Sequence, residues 1–262
     1  MPRAKTPEAE TEAPAGTGSS AERSLRLLAL LAHEGRALSL AELSVRLGLP
    51  KVTTHRLCMQ LLDGGFLARD TDERCFAVGP ALRKLAFDTL NHGVVRGLRH
   101  EVLAALVTQV GETCNFTTLD GTRVLYIDRV EAQWPLRLTL DVGSHVPLHC
   151  TASGKLFLAE MPKAEREALI AQLPLTRMTR HTIASAKALK AECEAIATQA
   201  YSNDREEFIA GLIAVAVPVR DESGRARAAI ALHAPSARLS LAQAQRQLPA
   251  LRAAAARMGA LL

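Results

Sequence analysis

Aromatic residues are scarce in this 262-residue chain: one Trp, two Tyr and six Phe, 3% of the total. Proteins that grip single-stranded nucleic acid stack its bases on aromatic platforms, so the composition argues against that class. Cysteine occurs five times, as Cys58, Cys75, Cys114, Cys150 and Cys193, an odd number without a CxxC spacing. That argues against a disulfide framework or a cysteine zinc finger and favours buried reduced thiols. No apolar run approaches the ~18 residues of a membrane span. Residues 1–20 lack the apolar stretch of a secretory signal. The expectation is a cytoplasmic protein with no membrane partner. A Walker A loop is missing too, since His149 stands where its first glycine belongs and Leu156 follows Gly154-Lys155.

Apolar residues make up 48% and charged residues 23%, the balance of a soluble globular protein with room for one large or two small domains. The net charge of +5 is spread along the chain and by itself names no partner. One stretch is sharper: Leu43 to Leu62 holds Arg46, Lys51 and Arg56 and no acid. Residues 1–20, rich in Ala, Pro, Gly, Thr, Ser and Glu, read as a disordered tail.

Leu25, Leu28, Leu31 and Ala32 recur at helical spacing and predict a helix over Ala21–His33, stopped by Gly35. Ser39-Leu40-Ala41-Glu42 is a capping box that opens a second helix, ended by Gly48. Pro50 suits the first position of a third helix, Lys51–Asp63. Phe66–Arg69 and Cys75–Val78 flank a polar turn and predict a hairpin. Helices follow over 81–90 and 98–110. Beyond Gly111 the pattern mixes strands (116–119, 124–130, 136–141, 211–219, 226–233) with helices (153–161, 163–172, 185–200, 240–261) without strict alternation. That is an α+β organisation, a sheet with helices packed on it.

Residues 21–79 thus form helix, helix, tight turn, helix and hairpin: a winged helix-turn-helix. The second helix packs on Val52, Leu57 and Leu61, leaving the front of the third free for a major groove. Lys51, Thr53, Thr54, His55 and Arg56 are the candidate DNA contacts, to phosphates or base edges. A helical head that binds a protein partner instead of DNA is the alternative, and the acid-free third helix weighs against it.

Leu49-Pro50-Lys51-Val52-Thr53-Thr54-His55-Arg56-Leu57, then Gly65-Phe66-Leu67 and Phe76-Ala77-Val78-Gly79, resemble the winged helix of the isocitrate-lyase-regulator (IclR) family of bacterial transcription factors. Residues 143–155 and the stretches 201–211 and 214–219 resemble that family's effector domain. The resemblance runs from about Ser24 to Leu262. It implies a two-domain protein: a winged helix over 21–79, a linker helix over 80–100 and a GAF-like effector-binding domain over 101–262. It further implies dimers that pair into tetramers, an operator in double-stranded DNA and a small carboxylate effector.

The chain supplies a physical reason of its own. Thr151-Ala152-Ser153-Gly154-Lys155 enters a helix, whose free amides suit an anion. Carried over by motif, the amides of Ala152 and Ser153 face the carboxylate, and Asp204, Leu212, Ala214, Ala231 and His233 line the pocket. Family members that bind very small keto acids carry hydroxyl side chains where Ala231 and His233 stand, which points to a larger, aromatic acid. The run 204–207 also reads as a solvated turn. Rival chemistries are weak. His145-x3-His149 beside Cys150 is a loose ligand spacing that closes no metal site. Cys150 or Ser153 as nucleophile lacks a base oriented by a third group. The expectation is therefore no enzyme, no metal and no cofactor.

Overall fold

A computed structural model describes residues 18–70, 73–90, 93–135 and 140–262. The chain divides into two compact units, Met1–Thr89 and Leu90–Leu262. The tail expected over 1–20 lies, up to residue 17, outside the described residues, and so does most of the strand expected over 136–141.

In the first unit α1 spans Ser20–Glu34, with the Ser19 hydroxyl accepting from the Glu22 amide at 3.2 Å. Its buried side is Leu27, Leu28 and Leu31, so the stripe is turned from the expected one and Leu25 is exposed. A short strand β1 (Leu38–Ser39) leads into α2 (Leu40–Leu47). The capping box forms in both directions: the Glu42 amide donates to the Ser39 hydroxyl at 3.3 Å, and the Ser39 amide donates to Glu42 Oε2 at 2.9 Å. Those bonds, with Arg36 alongside, hold the Glu42 carboxyl down to about 2. Gly48, at φ 63, closes α2 in the left-handed region. Then α3 runs Lys51–Asp63, with Pro50 as its N-cap in extended conformation, one place earlier than expected. The wing is β2 (Leu67–Arg69) and β3 (Cys75–Val78), and β1 adds a third strand in the order β1-β3-β2, which the hairpin reading lacked. A side chain at Gly79 would overlap the backbone carbonyls of Gly65 and Leu67, so only glycine lets the wing return so closely before α4 (Pro80–Leu90).

In the second unit α5 (Gly93–Val110) crosses the expected boundary at 100/101 unbroken, and the compact unit begins instead at Leu90. The linker region 80–100 therefore holds α4 and the start of α5, with residues 91–92 outside the described residues. β4 (Thr113–Asp120), β5 (Arg123–Val130), β6 (His145–Pro147), α6 (Ala152–Glu160), α7 (Lys163–Gln172) and α8 (Ala186–Gln199) follow. The chain continues with β7 (Ser202–Arg205), β8 (Leu212–Arg220), β9 (Ala226–Pro235), α9 (Leu241–Gln245) and α10 (Leu248–Gly259). The single helix expected over 240–261 is two, with Pro249 in the first turn of α10, where its missing amide does no harm. Among the described residues the strands of this unit form one six-stranded antiparallel sheet in the order β6-β5-β4-β9-β8-β7. The edge strands β6 and β7 are too short to show a period in the sequence.

The sheet is buried on both faces. Cys114, Phe116, Val215, Val217 and Ile230 pack with Leu103 of α5 and Leu251 of α10. Ala214, Ala216, Ala229 and Ala231 pack on the other face with Ala152 and Leu156 of α6 and Leu189 of α8. The first face is branched and bulky. The second is floored with alanine.

Candidate nucleic-acid interface and effector pocket

On α3, Lys51, His55 and Arg56 are exposed and Thr53 is half-buried. Thr54 is fully buried, and its hydroxyl donates to the Pro50 carbonyl at 3.2 Å. It is spent on the fold and drops out of the expected DNA contacts. Val52 trades places with it: expected in the core, it is 83% exposed. The error is one of phase. The sequence shows that α3 has an apolar stripe but not which of two adjacent positions faces α2. No side-chain hydrogen bond caps the front of α3, which leaves its first amides available for phosphate contacts. Arg46 is ion-paired with Glu34, and Arg36 with Glu42, leaving Lys51 and Arg56 as the cations at that front. The one acid on α3, Asp63, is at its far end.

The candidate effector site of the second unit is laid out by strand register. Directly paired residues in an antiparallel sheet share a face. One row runs Ser202–Ala216–Ala231–Asn115–Arg129, and the next runs Asp204–Ala214–His233–Thr113. The first row has polar ends and an alanine middle, and the second sets Ala214 between Asp204 and His233. At about 4.8 Å per strand, Asp204 and His233 stand roughly 10 Å apart along their row. Helix α6 lies over β7, β8 and β9, with Ala152 and Ser153 buried in its first turn. Its N-cap Thr151 accepts from the Gly154 amide at 3.1 Å and donates to the Pro147 carbonyl at 2.7 Å. A Cβ on Gly154 would meet the Leu148 carbonyl, so glycine sets how closely the helix front descends.

The run 204–207 is not a solvated turn. Asp204 and Glu207 are buried. The fully buried Lys155 ammonium donates to Glu207 and, at 3.2 Å, to Glu192, pinning the end of β7 to α6. Asp204 Oδ1 accepts from the Glu207 amide at 2.7 Å. Burial, with the Glu207 charge adding to it, pushes the Asp204 carboxyl up to about 7 against these bonds and Lys155. His233 is pushed down to about 3, first by burial and then by the Arg129 charge, so it is neutral near pH 7.

Among the expected effector residues, Ala152, Ala214 and Ala231 share one cluster. Ser153 is in the same helix turn as Ala152. Asp204 stands opposite Ala214. Leu212 and His233 line one small cavity with Thr113, Arg129 and Arg238. The sequence reading missed Asn115, Arg129 and Ser202. Arg129 donates to Asn115 Oδ1 at 2.9 Å, which fixes that amide and turns its Nδ2 the other way. Asn115 Nδ2, Ser202 Oγ and His233 Nδ1 are buried without hydrogen-bond partners among the described residues. The signal for Asn115 was present as the polar alternation Thr113, Asn115, Thr117 inside an apolar strand. Ser202 offered none, because β7 was not legible.

Cys150 and the His145–His149 pair are the residues of the rival readings. Burial pushes the Cys150 thiol up to about 12, leaving it protonated and unfit as a nucleophile. His145 faces Asp120 at 2.8 Å, and His149 faces the Thr176 carbonyl at 2.9 Å, so the two rings do not share a site. Among the described residues no cluster of three metal-ligating side chains occurs, and no helix is long and apolar enough to cross a membrane.

A winged helix with a cationic, acid-free recognition front, followed by a six-stranded sheet domain, defines a helix-turn-helix transcriptional regulator. Residues 20–71 match the IclR helix-turn-helix domain, and residues 87–260 match the bacterial transcriptional regulator IclR C-terminal domain. The chain belongs to the IclR family, whose members are transcriptional regulators and not enzymes. It is 43% identical to the protein described as probable transcriptional regulator SauR of Cupriavidus necator, over 92% of this chain and 96% of that one. It is 29% identical to the transcriptional repressor IclR of Escherichia coli K12, over 91% and 88% of the two chains. The repressor BlcR of Agobacterium tumefaciens superposes with a TM-score of 0.59 at 28% identity, covering 93% of this chain and 96% of that one. An IclR homologue of Microbacterium hydrocarbonoxydans, complexed with 4-hydroxybenzoate, gives a TM-score of 0.58 over 93% and 99% of the chains, a likeness of fold at 23% identity.

Proposed function

We propose that this regulator grips double-stranded operator DNA in the cytoplasm through paired copies of α3 and is controlled by a small organic carboxylate, aromatic in class, held over the alanine floor of the second unit. The observation that carries the effector reading is the trio of buried polar atoms without partners, Asn115 Nδ2, Ser202 Oγ and His233 Nδ1, around that floor. Buried polar groups in folded proteins are satisfied as a rule, so a trio on one face calls for a polar ligand. The amides at Ala152 and Ser153 take the carboxylate. Asp204, Leu212, Ala214, Ala231 and His233 form the walls, joined by Asn115 and Arg129. Four alanines give that face its smallest side chains, and Ala231 and His233 stand where members that bind very small keto acids carry hydroxyls. The 4-hydroxybenzoate held by the Microbacterium homologue is a ligand of that class.

On the DNA side the contacts are Lys51, Thr53, His55 and Arg56. One helix covers too few base pairs for genomic specificity, so the unit works as a homodimer on half-sites ~34 Å apart, or a multiple of that, with tetramers built from dimers. An apolar trough on the first unit between α1 and α4, walled by Leu25, Leu28, Phe66, Leu82 and Leu85, suits that pairing. The linker region carries the signal. Arg129 is in the pocket wall, and its neighbour Asp128 accepts from the Arg129 amide at 2.8 Å and bonds His100 of α5 at 3.1 Å. A ligand shifts the balance of two states only by its differential affinity for them.

Calorimetric titration with a panel of aliphatic and aromatic acids tests the pocket: an aromatic acid binds, and binding confined to two- or three-carbon acids refutes the class. A mobility shift on the DNA upstream of the protein's own gene tests the head. A salt-sensitive complex that the effector weakens or re-spaces is expected.

A further inference from the structure

We propose that Val52 is a base-reading residue, which selects a thymine in each operator half-site by seating its methyl groups against the thymine C5-methyl. This rests on α3 being the element that enters the major groove, as proposed above.

The outward stripe of α3 is Val52, His55, Arg56 and Met59, spaced i, i+3, i+4 and i+7 down one face. A solvated helix face is polar, yet this stripe opens with a β-branched apolar residue that is 83% exposed. The core does not explain it, because Thr54, Leu57 and Cys58 fill the inward face. Helix propensity does not explain it either, since valine is a weaker helix former than alanine or the straight-chain polar residues. Lys51, His55 and Arg56 surround it, and there is no acid in that turn. The electrostatic surroundings therefore select a polyanion as what covers Val52. On that polyanion the phosphates offer nothing to an isopropyl group. In the major groove the single apolar group on any base edge is the thymine methyl. Position and chemistry thus converge on one occupant. Val45, 80% exposed on α2, provides an internal comparison because it belongs to a different helix.

The test uses the full-length protein and a duplex carrying its footprinted operator, with binding read by fluorescence anisotropy. Each thymine is replaced in turn by deoxyuridine, which removes the methyl and leaves base pairing intact. One position per half-site is expected to weaken wild-type binding about fourfold, the effect of exposing one buried methyl. Val52→Ala, which removes an exposed side chain and so keeps the fold, binds thymine and deoxyuridine duplexes alike. Val45→Ala keeps the wild-type ratio. Uniform tolerance of deoxyuridine by the wild type, or the same methyl sensitivity in Val52→Ala, overturns the proposal while leaving DNA binding intact. Absence of any salt-sensitive complex removes the DNA reading of α3 and Val52's role with it.

Discussion

The front of α3 and the alanine-floored sheet face are built on opposite plans. The first places its working groups on a convex surface, outside a core that Leu43, Leu47 and Leu57 complete without them. The second buries the groups proposed to meet the effector, so that Asn115 and Asp204 belong to the core as well. A surface site can be re-tuned residue by residue without endangering the fold. A buried site ties specificity, stability and pH response together, because each polar group there is desolvated and answers to its neighbours.

The largest effect expected from testing this contrast is at Gly154. An added methyl collides with the Leu148 carbonyl, so Gly154→Ala costs about 3 kcal/mol or more of second-unit stability in denaturant unfolding. Alanine substitution of the exposed α3 residues stays within ~0.5 kcal/mol. Asn115→Leu removes a buried donor and should weaken effector binding ~10–100-fold by calorimetry, with effector-free DNA binding unchanged.

Asp204 sharpens the comparison through pH. Its folded value of about 7 lies above the usual 3.8, so from about pH 4 to 7 the folded protein holds a proton that the unfolded chain has released. Stability from this group therefore falls as pH rises through that window, by at most ~1.4 kcal/mol per unit, and levels off above it. His233, pushed down to about 3 from 6.5, acts oppositely: its contribution is present above 6.5 and is lost as pH falls towards 3. The two offset each other between about pH 4 and 6.5. Asp204→Asn should expose the histidine slope alone, seen as a melting temperature that drops on acidification. On the surface site the effects are smaller. Arg56→Ala should reduce the slope of log affinity against log salt by about two for the dimer, one phosphate contact from each copy of α3. Thr54→Val is expected to cost ~1 kcal/mol through the lost bond to Pro50 and to leave operator preference unchanged.

The helical elements of the first unit were legible almost to the residue, because their signals are local. The Ser39–Glu42 capping box, Gly48 and Pro50 act within one turn of chain. What failed there was the phase of a stripe: Leu25 and Val52 were placed inward, and Thr54 outward. Apolar spacing gives a helix its period, but only the neighbouring helix fixes its rotation. In the second unit the long strands β8 and β9 were legible, while β6 and β7 were not, since a strand of three or four residues gains its identity from the partner that pairs with it.

From the chain alone came the order of elements, the acid-free cationic turn and the family to which its motifs point, all of them properties of neighbours in sequence. The proposed effector site was decided by register. Ser202, Ala216, Ala231, Asn115 and Arg129 come from five separate strands and meet because backbone hydrogen bonding across them aligns the five in one row. A slip of one residue in any pairing would turn that strand's side chains to the opposite face, and no local pattern in the chain encodes which of the two alignments is taken.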